Sequence, residues 1–268
     1  MRATLAIAIN VFRESVRDKV LYNLVLFAIG LTAASYLIGQ LTAGQDVKII
    51  KDLGLAATSL FGLFIAVFIG IGLVSKEVER RSIYALLAKP IDRYQLVLGK
   101  YFGLTLTLAV NIAVMAAAIY VVLAYMSWRV PPQQRLAWDA PALDPAIMKA
   151  VALIFVELML VTAIALFFST FSSPILSAAF TTGLYIVGHF SGDLRNFRQV
   201  VDSPAAATFA SGLYWVLPNL AQFDRKADVV HGVPVPLGYM AIALAYAAVY
   251  IAALLAAATL VFSRRDFK

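Results

Sequence analysis

The chain has 268 residues, of which 62% are hydrophobic and 14% are charged, and its mean hydropathy is +0.85. Soluble proteins are about half apolar and about a quarter charged, so the composition excludes a soluble globular domain and predicts an integral membrane protein. The chain has no cysteine, which excludes disulfides, thiolate metal sites and a thiol nucleophile.

Residues 1–20 predict an amphipathic helix at the membrane surface. Leu5, Ile9, Phe12 and Val16 form one apolar stripe at helical spacing, and polar residues occupy the other faces. Such a helix lies in the headgroup plane. Two interpretations remain open: a simple flank of the first span, or an elbow that fixes this span and borders a partner's docking site.

Six apolar runs are long enough to cross the membrane, since a transmembrane helix needs about 20 residues. The predicted fold is therefore an all-α membrane protein with six transmembrane helices. Only Ser172 and Ser173 separate the fourth run from the short fifth run, and Pro174 suits a first helical position, so we expect a tight helical hairpin there. The predicted spans are residues 21–41, 53–74, 101–126, 147–171, 174–190 and 238–262.

The distribution of basic residues predicts the orientation. Segments 1–20, 76–100 and 263–268 hold 4, 6 and 3 of the 22 Lys/Arg residues, and six spans put all three segments on one side. The positive-inside rule makes this side cytoplasmic, with both termini inside the cell and the spans in the inner (plasma) membrane. The net charge of +7 then reflects orientation in the lipid bilayer, and we expect no nucleic-acid partner.

The charged island 76–100 is patterned like a cytoplasmic elbow. Apolar residues at helical spacing end at Pro90, which stops a helix. Asp92 stands at an N-cap position with Gln95 three residues later, so a second helix begins there and runs into the membrane. A short helix, a proline break and a capped span form a rigid element that could receive a push from a partner.

The predicted outer loop, 191–237, contains an apolar helix over residues 204–217, from Pro204 until Pro218 interrupts it. Its 14 residues are too few to cross the bilayer. We therefore expect it to lie on the outer surface or to enter and return, with its backbone groups satisfied by other parts of the protein. A plug over an exit and a plain surface helix remain equal alternatives.

Few polar groups lie within the predicted spans. Glu157 lies in the middle of the fourth span, where an unpaired carboxylate costs about 2.5–3.5 kcal/mol. We expect it to be partnered or protonated, in either a structural hydrogen bond or a substrate pathway, and Asn111 is a weaker candidate of the same kind. His189 and His231 are the only histidines, too few to predict a metal site.

Two small-residue patterns predict close helix packing. Gly99 and Gly103 form one GxxxG at the start of the third span, and we interpret it as packing. The last span has an alanine stripe that indicates close helix contact, possible across a dimer: Ala241, Ala245, Ala248, Ala252 and Ala256. Gly99-Lys100 lacks the upstream glycine of a phosphate loop, so energy for any work must come from another chain or an ion gradient.

Four stretches carry a family resemblance. ERRSIYALLAKPIDRYQLVLGK (79–100) resembles the first cytoplasmic loop of ABC-2 type permeases, the membrane subunits of one class of ATP-binding-cassette transporters. FFSTFSSP (167–174), YWVLPNLAQFD (214–224) and FSRRD (262–266) also agree. Together they resemble the branch named for multicopper-enzyme maturation, which includes the nitrous-oxide-reductase maturation permease. Arg80-Arg81 departs from the glycine that the family often has after the acidic residue.

The resemblance implies a permease that pairs with a second copy or a paralogue and with two ATP-binding subunits, which use ATP and Mg while this chain binds no cofactor. It makes residues 79–90 a coupling helix seated in a cleft of the ATPase, and the 204–217 helix a counterpart of the family's outer re-entrant helices. Glu79 and Arg81 would make polar contacts with the ATPase, Leu86 and Leu87 would pack the helix, and Pro90 and Arg93 would set the turn into span three. The implied coupling residues are Glu79, Arg81, Ser82, Leu86, Leu87, Pro90 and Arg93.

Two other functions remain open. In an ion-coupled secondary transporter, Glu157 would carry the proton, although no broken spans occupy symmetric positions. In a membrane-embedded enzyme, Glu157, His189 and Asp193 would act together, although they lack a nucleophile–base pattern. No catalytic residue is predicted in the leading interpretation.

Overall fold

The computed structural model describes residues 2–41, 45–79, 92–135, 138, 140–190 and 217–264. Within these ranges the secondary structure is helical and contains no strand. The seven longer helices are α1 Arg2–Val16, α2 Lys19–Gln40, α3 Asp46–Glu79, α4 Arg93–Arg129, α5 Ala146–Ser169, α6 Pro174–His189 and α7 Leu237–Arg264. Single turns cover Pro132–Arg135, Ala221–Phe223 and Lys226–Val230.

Five helices of the described part are long and apolar enough to cross a membrane, namely α2, α3, α4, α5 and α7. They correspond to predicted spans one, two, three, four and six. The fifth predicted span corresponds to α6, whose 16 residues rise about 24 Å. This is less than the ~30 Å of hydrocarbon, so a count of six membrane-crossing helices stays a prediction.

The hairpin predicted between α5 and α6 is present. Helix α5 ends at Ser169, and a turn follows. Helix α6 begins at Pro174, which lies in the first turn of that helix. The hydroxyl groups of Ser172 and Ser177 lie 2.7 Å apart, which ties the turn to the first turn of α6. The N–H of a residue at the first helical position has no partner within the helix, and proline has no N–H. Pro174 can therefore begin α6 directly after the turn.

The bundle has two ends, which we call the terminal face and the loop face. At the terminal face, α1 packs against the start of α4, and the start of α4 bonds to the end of α7. At the loop face, the Nζ atom of Lys51 contacts Asp144, and Lys149 donates to the carbonyl of Val235. Both described chain ends therefore lie at one face, as the predicted orientation requires.

The chain must pass from one face to the other between Ser169 and Leu237. Residues near the end of α5, Ala163 and Leu166, pack with the start of α4 and the end of α7 at the terminal face. Helix α7 begins at the loop face, next to Lys149. Helix α6 covers much of this path and ends at His189, close to Glu157 in α5. The predicted re-entrant helix 204–217 lies outside the described residues.

Helix α3 begins earlier than predicted. The sequence suggested a span from residue 53, because Lys48, Lys51 and Asp52 look like a polar loop. The helix starts at Asp46 because partners from another segment receive the buried Lys51 ammonium. A charge is compatible with a buried helix when hydrogen-bonding partners replace its water.

Helix α1 packs against the bundle with a face that differs from the predicted apolar stripe. Ala8, Val11 and Ser15 are buried against the bundle, whereas Leu5 and Ile9 are exposed. One side of α1 thus contacts protein, and the predicted stripe is left toward the surroundings. This arrangement fits a helix in the membrane interface, with its exposed apolar side toward lipid.

Candidate functional site

The predicted coupling element falls largely outside the described residues. Glu79 is the last residue of α3, and Arg93 is the first residue of α4. Arg81, Ser82, Leu86, Leu87 and Pro90 lie in the part of the chain that the structure does not describe. Their contacts with an ATPase stay predictions.

Arg93 joins the start of α4 to the end of α7. Its Nη1 atom donates to the carbonyl of Phe262 at 2.9 Å and to that of Ser263 at 2.6 Å. The last carbonyls of a helix have no partner within the helix and carry partial negative charge, so a guanidinium stabilises them. Sequence analysis placed Arg93 in the turn and missed this contact, which lies 169 residues away along the chain.

Helix α4 begins where predicted, but without the predicted capping box. Asp92 has an extended backbone at the N-cap, and its carbonyl accepts from the N–H groups of Gln95 and Leu96. The Asp92 side chain makes no capping hydrogen bond, and the Gln95 amide donates to the hydroxyl of Tyr94. The position of the helix start was correct, whereas the side-chain mechanism was wrong.

Helix α1 packs against the GxxxG pattern of α4. A Cβ atom on Gly99 would lie 2.7 Å from the Cβ of Ile7, and one on Gly103 would lie 2.6 Å from the carbonyl oxygen of Ala8. No side chain fits at such distances, so both glycines allow the close approach of α1. The interpretation of this pattern as packing is confirmed, and the packed partner is the N-terminal helix.

Glu157 is almost completely buried and lies beside a histidine. Its Oε1 atom is 3.2 Å from Nε2 of His189, at the end of α6. The approach does not have hydrogen-bond geometry, so Oε1 has an ionic neighbour but no hydrogen bond among the described residues. The prediction that Glu157 would be partnered is confirmed.

The contacts of His189 imply that Glu157 and His189 together hold one proton more than a carboxylate and a neutral imidazole would. Nδ1 of His189 lies 3.0 Å from the carbonyl oxygen of Tyr185, which can only accept, so Nδ1 bears hydrogen. In a neutral imidazole, Nε2 would then be an acceptor facing an oxygen of Glu157. The contact is favourable only when His189 is doubly protonated or when Glu157 is protonated.

Further polar side chains surround the pair. The rings of Tyr185 and His189 lie 4.5 Å apart, and Tyr185 also lies next to Ser59 and Glu157. The Nζ atom of Lys226 is 3.4 Å from Oγ of Ser59 and 3.5 Å from Oδ1 of Asp224. We call this set the polar cluster: Ser59, Glu157, Tyr185, His189, Asp224 and Lys226. Ser59 and Glu157 are buried, whereas Asp224 is exposed.

The segment 217–236 brings Lys226 next to Ser59 of α3 and leaves Asp224 exposed beside it. The N–H of Leu220 donates to the carbonyl of Gly188, and the N–H of Asn219 donates to the hydroxyl of Tyr246. A Cβ on Gly188 would lie 2.8 Å from Cγ of Leu220 and 2.9 Å from the carbonyl oxygen of Pro218. The segment therefore satisfies a carbonyl at the end of α6 and covers that helix end, as backbone groups at membrane depth require.

Most residues of the polar cluster were not predicted from the sequence. Asp224 stood in a stretch that carried the family resemblance, but Ser59 and Lys226 gave no signal. Asp193, the third residue of the enzyme hypothesis, lies outside the described residues. Asn111 bonds within its own helix, since its Nδ2 atom donates to the carbonyl of Thr107 at 2.6 Å.

Comparison with known proteins gives the family. The model of the ABC-2 family transporter proteins matches residues 5–267, which is nearly the whole chain. A search of curated proteins found no match. The apolar helices and this match agree: the chain belongs to the ABC-2 family of transporter proteins and is a multi-pass membrane protein.

Proposed function

We propose that this chain is a permease subunit that moves or extracts a substrate across the inner membrane, with ATP hydrolysed by a separate ATP-binding subunit. The single observation that carries the proposal is the family match over residues 5–267. Two ATP-binding subunits, which use ATP and Mg, and a second permease copy or paralogue complete the complex. We further propose that the chain belongs to the multicopper-enzyme-maturation branch, which its four motifs resemble.

The start of α4 is suited to transmit a movement of the elbow. Arg93 connects it to the end of α7, and Gly99 and Gly103 connect it to α1. Residues 79–90, seated in the ATPase, would therefore move three helices rather than one. We infer a two-state rearrangement in which closure of the ATPase pair displaces α1, α4 and α7 together.

The polar cluster is the proposed element of the substrate pathway in the membrane. It joins α3, α5, α6 and the segment 217–236, so relative movement of these parts must break its contacts. Glu157 lies about 17 Å along α5 from the loop-face start of that helix. We propose that the cluster closes the pathway at this depth, while Asn111 is a further candidate of the pathway.

The coupling role is tested by reversing the charges of Glu79 and Arg81 together. We expect a loss of the ATP-binding subunit in pull-down from membranes, because both residues are proposed to contact it, while the permease keeps its unfolding temperature. Reversal of Glu14 and Arg17, exposed on and just after α1, is the control. Undiminished pull-down with normal ATP-driven activity would contradict the proposal.

The proton carried by Glu157 and His189 favours an ion-coupled secondary transporter as the second candidate. In this case purified protein alone, in vesicles, would move substrate under a proton gradient without ATP. The permease proposal expects movement only when the ATP-binding subunit and ATP are present.

The predicted cytoplasmic location of both termini is tested with reporter fusions at either end.

A further inference from the structure

An open groove lies on the side of the bundle between α4 and α7, with a volume of about 750 Å³. Its lining is almost entirely apolar, with Leu98 and Phe102 from α4 and Ala252, Ala256 and Leu260 from α7. Both helices are candidate membrane spans, so the groove opens toward lipid. The buried side chains of Tyr101 and Leu255 form its floor, and Phe102 and Leu260 are exposed along it.

At the terminal face the groove ends beside Arg93, which connects the start of α4 to the end of α7, and the exposed Asp92 precedes it. Tyr94 lines this end, and Arg93 precedes it at the start of α4. Among the described residues, only the Nη1 atom of Arg93 has acceptors, in α7, whereas a guanidinium has five N–H groups in all. The hydroxyl of Tyr94 accepts from Gln95 and keeps its own hydrogen for a further acceptor.

We propose that the groove binds one phospholipid of the adjacent leaflet, with an acyl chain between α4 and α7 and the phosphate at Arg93 and Tyr94. An apolar channel that ends in a guanidinium and a hydroxyl matches the order of groups along a phospholipid. The bound lipid bridges two helices that Arg93 already connects, next to the predicted coupling element. This inference depends on the location in the membrane and not on the proposed ATP-driven function.

A second copy of the chain fits this groove less well. A partner helix would be expected to follow the whole alanine stripe of α7, but Ala241 and Ala245 do not line the groove. Apolar contact gives no hydrophobic gain in lipid, and nothing in a second α7 would place an anion at Arg93. The guanidinium at the end of the groove therefore decides in favour of a phospholipid.

The acyl-chain part is tested with a photoactivatable group on the chain of phosphatidylglycerol, in vesicles that contain the purified protein. We expect labelled peptides from residues 93–102 and 248–260, and we expect Ala256→Phe to reduce this labelling about tenfold by filling the groove. Ala245→Phe lies on the same stripe outside the groove and should leave labelling unchanged. Both alanines are exposed, so neither variant should disturb folding. Ala252→Phe provides a second groove variant.

Labelling spread evenly over all spans, or equal loss in Ala245→Phe and Ala256→Phe, would overturn the proposal. It would also fall if both variants turned a dimer into a monomer, because a second copy would then occupy this face. The size and monodispersity of each variant are measured by gel filtration before labelling.

The phosphate part is tested by comparing photoactivatable phosphatidylglycerol with a diacylglycerol that has the same chains. We expect the wild-type protein to label with the phospholipid about tenfold more, as one charge-assisted hydrogen bond would give. Arg93→Gln should remove this preference and Arg93→Lys should keep part of it. Equal labelling of the wild-type protein by both lipids would refute a site for phosphate.

Discussion

Two buried ion pairs in this bundle differ in how fully their polar atoms are satisfied. At the loop face, Nζ of Lys51 donates to the carbonyl of Pro141 at 2.8 Å and lies 3.8 Å from Oδ2 of Asp144. The other carboxylate oxygen of Asp144 accepts from the N–H of Ala146 at the start of α5. In the middle of α5, by contrast, Oε1 of Glu157 has only an off-angle contact with His189.

The difference separates a structural pair from one that is suited to change state. The Lys51 pair fixes the loop before α5 to α3, and each charge has a hydrogen-bond partner. The Glu157 pair depends on a proton that can lie on either partner, and it is covered by a segment from elsewhere in the chain. A buried charge with all partners made resists rearrangement, whereas a partly satisfied network can exchange partners at lower cost.

The largest effect should come from breaking the satisfied pair. Replacement of Lys51 by Met leaves the carboxylate of Asp144 without its cation, so the free energy of unfolding in detergent should fall by about 3 kcal/mol. Adding Asp144→Asn should recover part of the loss, because Asn still accepts from the N–H of Ala146. If Lys51→Met alone unfolds like the wild-type protein, the pair is not the structural one.

A smaller effect should follow from separating the covering segment from α6. Gly188→Ala places a methyl group against Leu220 and Pro218, so we expect a loss of about 1–3 kcal/mol and faster hydrogen exchange in residues 217–230. Gly183→Ala in the same helix has no atom within 4 Å of the new methyl group and is the control. It should be neutral or stabilising by up to about 1 kcal/mol. An equal change in the free energy of unfolding for both variants would contradict the described packing of Leu220 and Pro218 against Gly188.

The smallest change in stability is expected at the pair that carries the proton. Glu157→Gln should alter the free energy of unfolding by less than about 1 kcal/mol, because the amide can donate to Nε2 of a neutral His189. Substrate movement in reconstituted vesicles should fall about tenfold, equivalent to about 1.4 kcal/mol, if the pair is part of the pathway. Glu14→Gln, exposed on α1, is the control. Full activity of Glu157→Gln would leave only a structural contact and remove any proton-carrying role.

Much of the fold could be predicted because it depends on local properties of the chain. Apolar runs gave the positions of α2, α3, α4, α5 and α7, and Pro174 gave the restart after the hairpin. The cost of an unpaired carboxylate in a membrane gave the expectation that Glu157 has a partner. These inferences need only transfer free energies and backbone geometry, which each residue has wherever it lies in the fold.

The candidate site could be predicted only in part, because its members come from distant segments. His189 was considered only for metal binding and for the enzyme hypothesis, and the contact of Lys226 with Ser59 spans 167 residues. The start of α3 was misjudged for the same reason, since Lys51 looks like a loop residue until the carbonyl of Pro141 receives it. Periodicity describes one helix at a time and does not show which charges will meet.

The sequence by itself determined that this chain is a helical membrane protein with a charged segment between two of its spans. Hydrophobicity and helix-breaking residues act locally, so the order of residues was sufficient for this. Only the tertiary structure decided which polar groups are satisfied: Arg93 on the end of α7, Lys51 on the loop before α5, and Glu157 beside His189. The physical reason is that the free energy of a buried charge depends on the polar groups in contact with it. Tertiary packing determines which groups these are.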